Sequence, residues 1–188
     1  MKIFCVGFHV EAIEAFKFLA KNQNVTGLIT LNDEAASKRS GVFNFVDFCE
    51  DEGIPAYTVK HINDESSVAI VKEHAPDVLI VLGWSQILSE EVLNIPKIGT
   101  IGAHASLLPK MRGSAPINWA LIRGMEETGN TLMWLNPGVD TGMILDQYKF
   151  EINLYDSCKT LYEKVALSNK IMLERSLPEI EKKGPNRC

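Results

Sequence analysis

Apolar positions along this chain follow two alternating rhythms. Lys2 to Gly7 is a short apolar run ending in glycine, and Val10 to Leu19 then sets Ile13, Phe16 and Leu19 at helical spacing, which predicts a strand followed by a helix. The alternation continues, with strands expected over Val25 to Thr30 and Ala56 to Val59 and helices over Val42 to Glu50 and Glu65 to His74. Val78 to Leu82 is almost wholly apolar, as suits a central strand covered on both faces. Ser89 caps a short helix to Leu93 that Pro96 ends, and Ile98 to His104 reads as the next strand. Beyond it come a helix at Asn118 to Ile122, strands at Thr131 to Leu135 and Ile144 to Ile152, and a long helix from Asp156 to Ile180, stopped by Gly184-Pro185.

Strands alternating with helices imply an α/β fold, a doubly wound parallel sheet with helices on both faces. Such sheets bind ligands beyond the carboxyl ends of their strands, where the strand order reverses. Gly83, His104 and the loop holding Asp140 fall at strand ends or in the loops that follow, so they can share one cleft. Asn32 to Gly41 is the segment expected to be a mobile loop, and no internal repeat or low-complexity tract is evident.

Composition narrows the picture. At 188 residues and 46% hydrophobic content, one sizeable core and one domain are expected. A net charge of −5 lacks the basic excess usual in nucleic-acid binding, which disfavours a tRNA substrate. Glu11 and Glu14 interrupt the early apolar pattern, so no leader is expected, and no span has the roughly eighteen apolar residues of a membrane helix. Cys5, Cys49, Cys158 and Cys188 are scattered without metal-ligand spacing, so no metal and a reducing cytoplasm are expected.

The chemistry concentrates in two stretches. In Ile101 to Trp119 a histidine, His104, leaves an apolar strand for a loop dense in Ser, Pro and Gly. A strand-end histidine held by packing suits proton transfer, and the same residue can instead cap a loop through a backbone bond. His9, His61 and His74 are assigned to that second role. In Trp134 to Leu145 a single acid, Asp140, sits in a tight loop, where a turn residue bonding its own backbone is the plainer reading.

Together the two stretches resemble the signature of folate-dependent formyltransferases and hydrolases: a histidine followed by Ser-Leu-Leu-Pro and Arg-Gly, then an Asp-Thr-Gly loop. The corresponding elements are His104, Ser106 to Pro109, Arg112-Gly113 and Asp140-Thr141-Gly142, an ordered match of roughly forty residues, and a weaker likeness runs back through Val81 to Leu88 to the first strand. The resemblance implies a Rossmann-like, mostly parallel sheet and a single catalytic domain over residues 1–188, with the C-terminal acceptor-specific extension of longer members absent or truncated. It implies 10-formyltetrahydrofolate as donor, an amine acceptor, and no metal. His104 would then stabilise the developing oxyanion and shuttle a proton, with Asp140 orienting it.

The family's site pairs that histidine and aspartate with an asparagine two residues before the histidine, and here Gly102 stands in its place. Loss of one oxyanion donor costs about 10²- to 10³-fold in rate. A water or backbone amide can replace it, the protein can be chiefly a hydrolase, or it can be a binding module without turnover. Glycine can equally serve the backbone there.

By the same resemblance the pterin lies against Val81, Gln86, Ile87 and Leu88 and against Asn136, Gly138 and Val139, largely through backbone groups. Ile87 and Leu88 can instead be plain core. Ser106, Arg112 and Asn118 are placed on the acceptor side, with Asn118 alternatively a helix cap. Trp84 can stack on a flat ring or pack in the core. Members acting on tRNA carry a further domain, and members acting on glycinamide ribonucleotide have a glycine-rich phosphate loop where this chain has Gly7-Phe8-His9-Val10. A nucleotide-linked amino sugar is the expected acceptor, and a homo-oligomer is compatible with the reading.

Overall fold

The computed structural model describes residues 1–183, so Gly184-Pro185 and Cys188 lie outside the described residues. Seven strands among these residues form one sheet: β1 (Lys2–Val6), β2 (Asn24–Leu31), β3 (Ala56–Val59), β4 (Val78–Val81), β5 (Gly99–His104), β6 (Glu127–Trp134) and β7 (Ile144–Glu151). Their order is β3-β2-β1-β4-β5-β6-β7. The first five in that order run parallel, and β6 and β7 are antiparallel additions at one edge. The helices are α1 (Ile13–Asn22), α2 (Asp33–Ala36), α3 (Phe45–Glu52), α4 (Glu65–His74), α5 (Glu90–Leu93), α6 (Pro116–Ile122) and α7 (Cys158–Lys183).

The strand period of two sorts side chains between the faces. Ile3 and Cys5 of β1 join the core made with Phe16 and Leu19 of α1, Phe45 of α3 and Met172, Leu173 and Leu177 of α7. Phe4 and Val6 of the same strand join Val68 and Val71 of α4 and Val92 of α5 on the other side. Each such side chain, buried outright, stabilises the fold by about 1.5–3 kcal/mol relative to exposure. The doubly wound α/β architecture is therefore present, with helices on both faces.

Several boundaries differ from the sequence expectation, some of them for reasons visible in capping and burial; α6, for instance, begins at Pro116 and α7 at Cys158. The first helix opens with a 3-10 turn, Val10–Ala12, whose cap is the His9 side chain. α3 begins at Phe45 because Asn44 caps it, its side chain accepting from the Asp47 N–H at 3.2 Å, while Val42 instead pairs with His9 in an isolated bridge. β6 starts at Glu127, four residues early, because Thr128 and Asn130 are buried despite their polarity. The segment Asn32 to Gly41, expected as loop throughout, contains one helical turn, α2, capped by Asn32 through the Ala35 N–H at 3.0 Å.

The strand order reverses at β1, which pairs with β2 on one side and β4 on the other. Gly83 follows β4 at this point with φ +57, and a Cβ there would approach the His9 Cβ to 2.8 Å. Glycine is thus what lets the loops after β1 and β4 meet.

Candidate active site

His104 is the last residue of β5, and its ring is only 10% exposed. Asp140 comes from the hairpin loop between β6 and β7. That loop folds onto the sheet because Leu135 packs into the same apolar layer as Val81 and Leu88. Its turn is held by Asn136, whose Oδ1 accepts from the Gly138 N–H at 3.1 Å and from the Thr141 hydroxyl at 2.9 Å. Asp140 is therefore released from the turn role, at φ +51, a left-handed geometry that Asp tolerates better than most residues. One of its oxygens accepts from the Gly113 N–H at 2.9 Å, and the other lies 3.5 Å from Nδ1 of His104.

The remaining ring nitrogen, Nε2 of His104, lies 2.8 Å from the Met111 carbonyl. Both ring nitrogens thus face acceptor oxygens, and the turn Met111 to Gly113 closes over the pair. At this low exposure charged hydrogen bonds act through less screening than at the surface.

A cleft of about 580 Å³ runs along the carboxyl ends of β1, β4 and β5 and takes in His104, Asp140 and Gly102. Val81, Gln86, Ile87 and Leu88 line one wall, and Asn136, Gly138 and Val139 another. The two neighbours Ile87 and Leu88 divide: Leu88 is core at 8% exposure, whereas Ile87 is 69% exposed. Gln86 is tied down by its amide, which donates to the Lys60 carbonyl at 2.9 Å and accepts from the Ile62 N–H at 2.9 Å. Trp84 packs edge-on against Phe8 beside the cleft, with its indole N–H buried and unpartnered.

Three expected acceptor-side residues stand apart from this cleft. Ser106 is buried, its hydroxyl donating to the Lys110 carbonyl at 2.8 Å to shape the loop. Arg112 is exposed in its turn, outside the cleft wall. Asn118 lies within α6 and is exposed, accepting a 3.4 Å bond from the Tyr162 hydroxyl, while the cap of α6 is Ala115.

Gly102 has an ordinary φ, so positive-φ freedom does not explain it. A Cβ at this position would lie 2.7–2.9 Å from Cδ2, Cδ1 and Cγ of Leu135. The Leu135 side chain thus occupies the space a Cβ would enter, and its far end must turn aside for a longer residue to fit.

The residue pattern gave no prominence to a second group in the same cleft: His9, Glu11 and Tyr162. His9 caps the turn after β1, its Nδ1 accepting from the Glu11 N–H at 3.4 Å. Burial lowers the His9 pKa and pushes the Glu11 carboxyl up to about 7. Tyr162, T-stacked on His9 at 4.7 Å, is raised to about 12, by burial first and then by the charges of Glu11 and Cys158. The available signal was position alone: both residues of the first loop follow the strand at which the sheet order reverses. Among the described residues no group of three or more His, Cys, Asp or Glu is arranged to hold a metal, and no helix is long and apolar enough to cross a membrane.

Residues 10–177 match the family model described as formyl transferase. A methionyl-tRNA formyltransferase of Clostridioides difficile (strain 630) is 36% identical over 187 residues, covering 96% of this chain and 60% of that protein. The chain thus spans about 60% of the length of that curated relative. Among solved structures, the sugar 3N-formyl transferase WlaRD superposes with a TM-score of 0.72 at 21% identity, over 97% of this chain and 64% of the other. A formyltetrahydrofolate deformylase from Pseudomonas syringae pv. tomato does so with a TM-score of 0.76 at 20% identity, over 96% and 61%. At these identities the structural likeness shows the fold.

Proposed function

The chain belongs to the formyl transferase family, and from that premise we propose that it acts as a catalytic domain moving a formyl group from 10-formyltetrahydrofolate to the amine of a nucleotide-linked amino sugar. The observation that carries the reading is the His104–Asp140 pair, buried at the edge of a cleft large enough for a substrate. A reacting amine loses a proton and a carbonyl oxygen gains negative charge, so the site needs an oriented donor that can also pass protons.

His104 fills that role. Nδ1 faces Asp140, which fixes the ring, while Nε2 presents its N–H to an oxygen that is now the Met111 carbonyl. A ligand oxygen takes over that bond as the Met111 turn gives way. Asp140 keeps its hold on the loop through Gly113, so ring and turn are positioned by one carboxylate. The donor's flat head suits the wall where Val81, Leu88 and Leu135 give apolar surface. The loop from Asn136 to Val139 adds backbone groups, since the Asn136 side-chain oxygen is already engaged. Bound there, the folate supplies the formyl group.

The net charge of −5 supports a small-molecule acceptor over tRNA. A second reading, hydrolysis of the formyl donor, is favoured by Gly102, where Leu135 occupies the space a donor side chain would need. Incubation with 10-formyltetrahydrofolate and either nucleotide-linked amino sugars or initiator methionyl-tRNA, followed by mass spectrometry, separates these. Formylated sugar is the expected product; formate alone would replace transfer with hydrolysis, and formylated tRNA would replace the acceptor.

A further inference from the structure

The sheet register sets three side chains in one row at its edge. His104 of β5 pairs with Thr131 of β6, and Thr131 pairs in turn with Gln147 of β7. Directly paired residues share a face of the sheet, so Gln147 stands two strand spacings, about 10 Å, from His104. Its backbone is pinned, the Gln147 N–H donating to Oδ1 of Asp146 at 2.8 Å.

Both protons of the Gln147 amide are committed. One goes to the Leu108 carbonyl and the other to Oγ1 of Thr131, each at 2.9 Å. A carbonyl only accepts, so the contact with Leu108 fixes which end of the amide is nitrogen. Thr131 is fully buried, and its hydroxyl donates to the Ser106 carbonyl at 2.7 Å while accepting from the Leu108 N–H at 3.1 Å and from Gln147. A hydroxyl offers one proton and two lone pairs, and here all are in use.

The segment gripped in this way leaves His104 and returns to it. The Ser106 N–H donates to the His104 carbonyl at 2.7 Å, and the Ser106 hydroxyl donates to the Lys110 carbonyl at 2.8 Å. The next residue, Met111, places its carbonyl 2.8 Å from Nε2 of His104. Met111 has φ +58, a left-handed conformation that a residue with a Cβ keeps only where its surroundings hold it. The loop from Ala105 to Met111 is thus anchored at Ser106 and Leu108 on the outer strands and ends on the His104 ring.

We propose that Gln147 is a positioning residue for the reaction: through Leu108 and Thr131 it holds the loop that sets the Met111 carbonyl on Nε2 of His104. The ring is thereby kept in the orientation from which a ligand oxygen takes over that bond. The inference rests on the formyl-transfer reading and adds a residue outside the cleft. Gln147 is exposed on the edge strand and lines no part of the cleft wall, so its replacement leaves the core and the ligand-facing walls intact.

Three variants separate hydrogen-bond donation from packing. Gln147→Leu removes both donors, Gln147→Glu keeps the shape but turns an acceptor toward the Leu108 carbonyl, and Gln147→Lys changes the shape but restores donors of similar reach. Two readouts are taken below the thermal midpoint of each. One is turnover of 10-formyltetrahydrofolate with a dTDP-linked amino sugar, counted as formylated sugar plus formate. The other is the exchange-protected ring N–H signal of His104 in NMR spectra of isotope-labelled protein, assigned by its absence from His104→Ala.

Gln147→Leu and Gln147→Glu should lower kcat about 10- to 100-fold, as a misplacement of roughly 1 Å does, with the folate KM nearly unchanged. Both should lose the protected signal, and Gln147→Lys should keep signal and rate. Wild-type kcat in Gln147→Leu overturns the proposal, as does a fall in Gln147→Lys equal to that in Gln147→Leu, or a loss carried by KM alone. A His104 signal absent from wild type, or unchanged in Gln147→Leu, overturns it whatever the turnover. If wild type turns over no formyl donor while its signal is present and is lost in Gln147→Leu, the positioning of the ring stands and the formyl-transfer reading falls.

Discussion

His104 and His9 stand in one cleft, each beside a carboxylate at 3.5 and 3.7 Å, yet their hydrogen bonds make them opposites. At His104 both ring nitrogens face acceptors, Asp140 and the Met111 carbonyl, so the ring works as a donor. At His9 the nitrogen nearest the acid faces a donor, the Glu11 amide, so the ring accepts, and no hydrogen bond to the Glu11 carboxylate is present among the described residues. A histidine close to an acid is therefore not one device. Which groups occupy the ring's other contacts decides whether the ring donates or accepts beside the acid.

The largest effect that can break this contrast is at His104. His104→Ala should lower the transfer rate by about 10²- to 10⁴-fold, the range of general acid–base catalysis, with the thermal midpoint near that of wild type. Near-normal turnover in a folded variant would remove His104 from the chemistry. Asp140→Asn comes next, at about 10²-fold. The amide oxygen can still accept from Gly113, so the loop should hold while the charge beside Nδ1 is lost. If the loop is lost as well, seen as heightened protease cleavage between Pro137 and Gly142, the effect belongs to structure and not to the ring.

Gly102 sharpens the same comparison from beneath His104. Gly102→Asn should destabilise the chain by about 1–3 kcal/mol in urea unfolding, because its Cβ meets Leu135. Pairing it with Leu135→Ala should relieve that clash and let the amide add a donor, raising transfer above the single variant. A stable single variant with no change in rate would mean that Leu135 moves freely and that the missing amide is immaterial.

The smallest effect concerns the other pair. Glu11 is raised from its ordinary 4.5 to about 7, so the folded chain holds a proton there that the unfolded chain has released. Its contribution to stability is intact below about 4.5 and is lost as pH rises to about 7. Glu11→Gln should therefore be more stable than wild type by on the order of 1–2 kcal/mol near pH 8 and equal to it near pH 4. His9, which faces the same acid and is lowered by burial, is present in both proteins and largely cancels in the difference. A pH-independent gap between the two melting curves would show that Glu11 is already compensated.

Much of the fold was legible because hydrophobic side chains carried it. Ile13, Phe16 and Leu19 announced α1, the run Val78 to Leu82 announced the central strand, and Ser89 does cap α5 through the Val92 N–H. What escaped was polar and tertiary. The first half of β6 is buried through Thr128 and through Asn130's bonds to α7, which no hydropathy pattern displays. α2 is a single turn set by its Asn32 cap, too short to show a period.

At the site, His104 and Asp140 were named from their motifs, and the structure brings them together with the wall residues from Val81 to Val139. Ser106 and Asn118 share those motifs but make their bonds outside the cleft wall, and Arg112 is exposed, because a motif string says nothing about which side chains a loop turns inward. Glu11 was visible only as an acid interrupting an apolar stretch. Its place in the cleft beside His9 and Tyr162 depends on four segments at once, the turn after β1, the Gly41 loop, β6 and α7, and emerges only when they pack.

The most direct test is steady-state formyl transfer to a dTDP-linked amino sugar at saturating 10-formyltetrahydrofolate, comparing wild type with His104→Ala and Asp140→Asn. Both losses should appear in kcat, the larger in His104→Ala, with the acceptor KM nearly retained. Full activity in His104→Ala, or losses confined to the acceptor KM, would contradict the assignment of the pair to the chemistry.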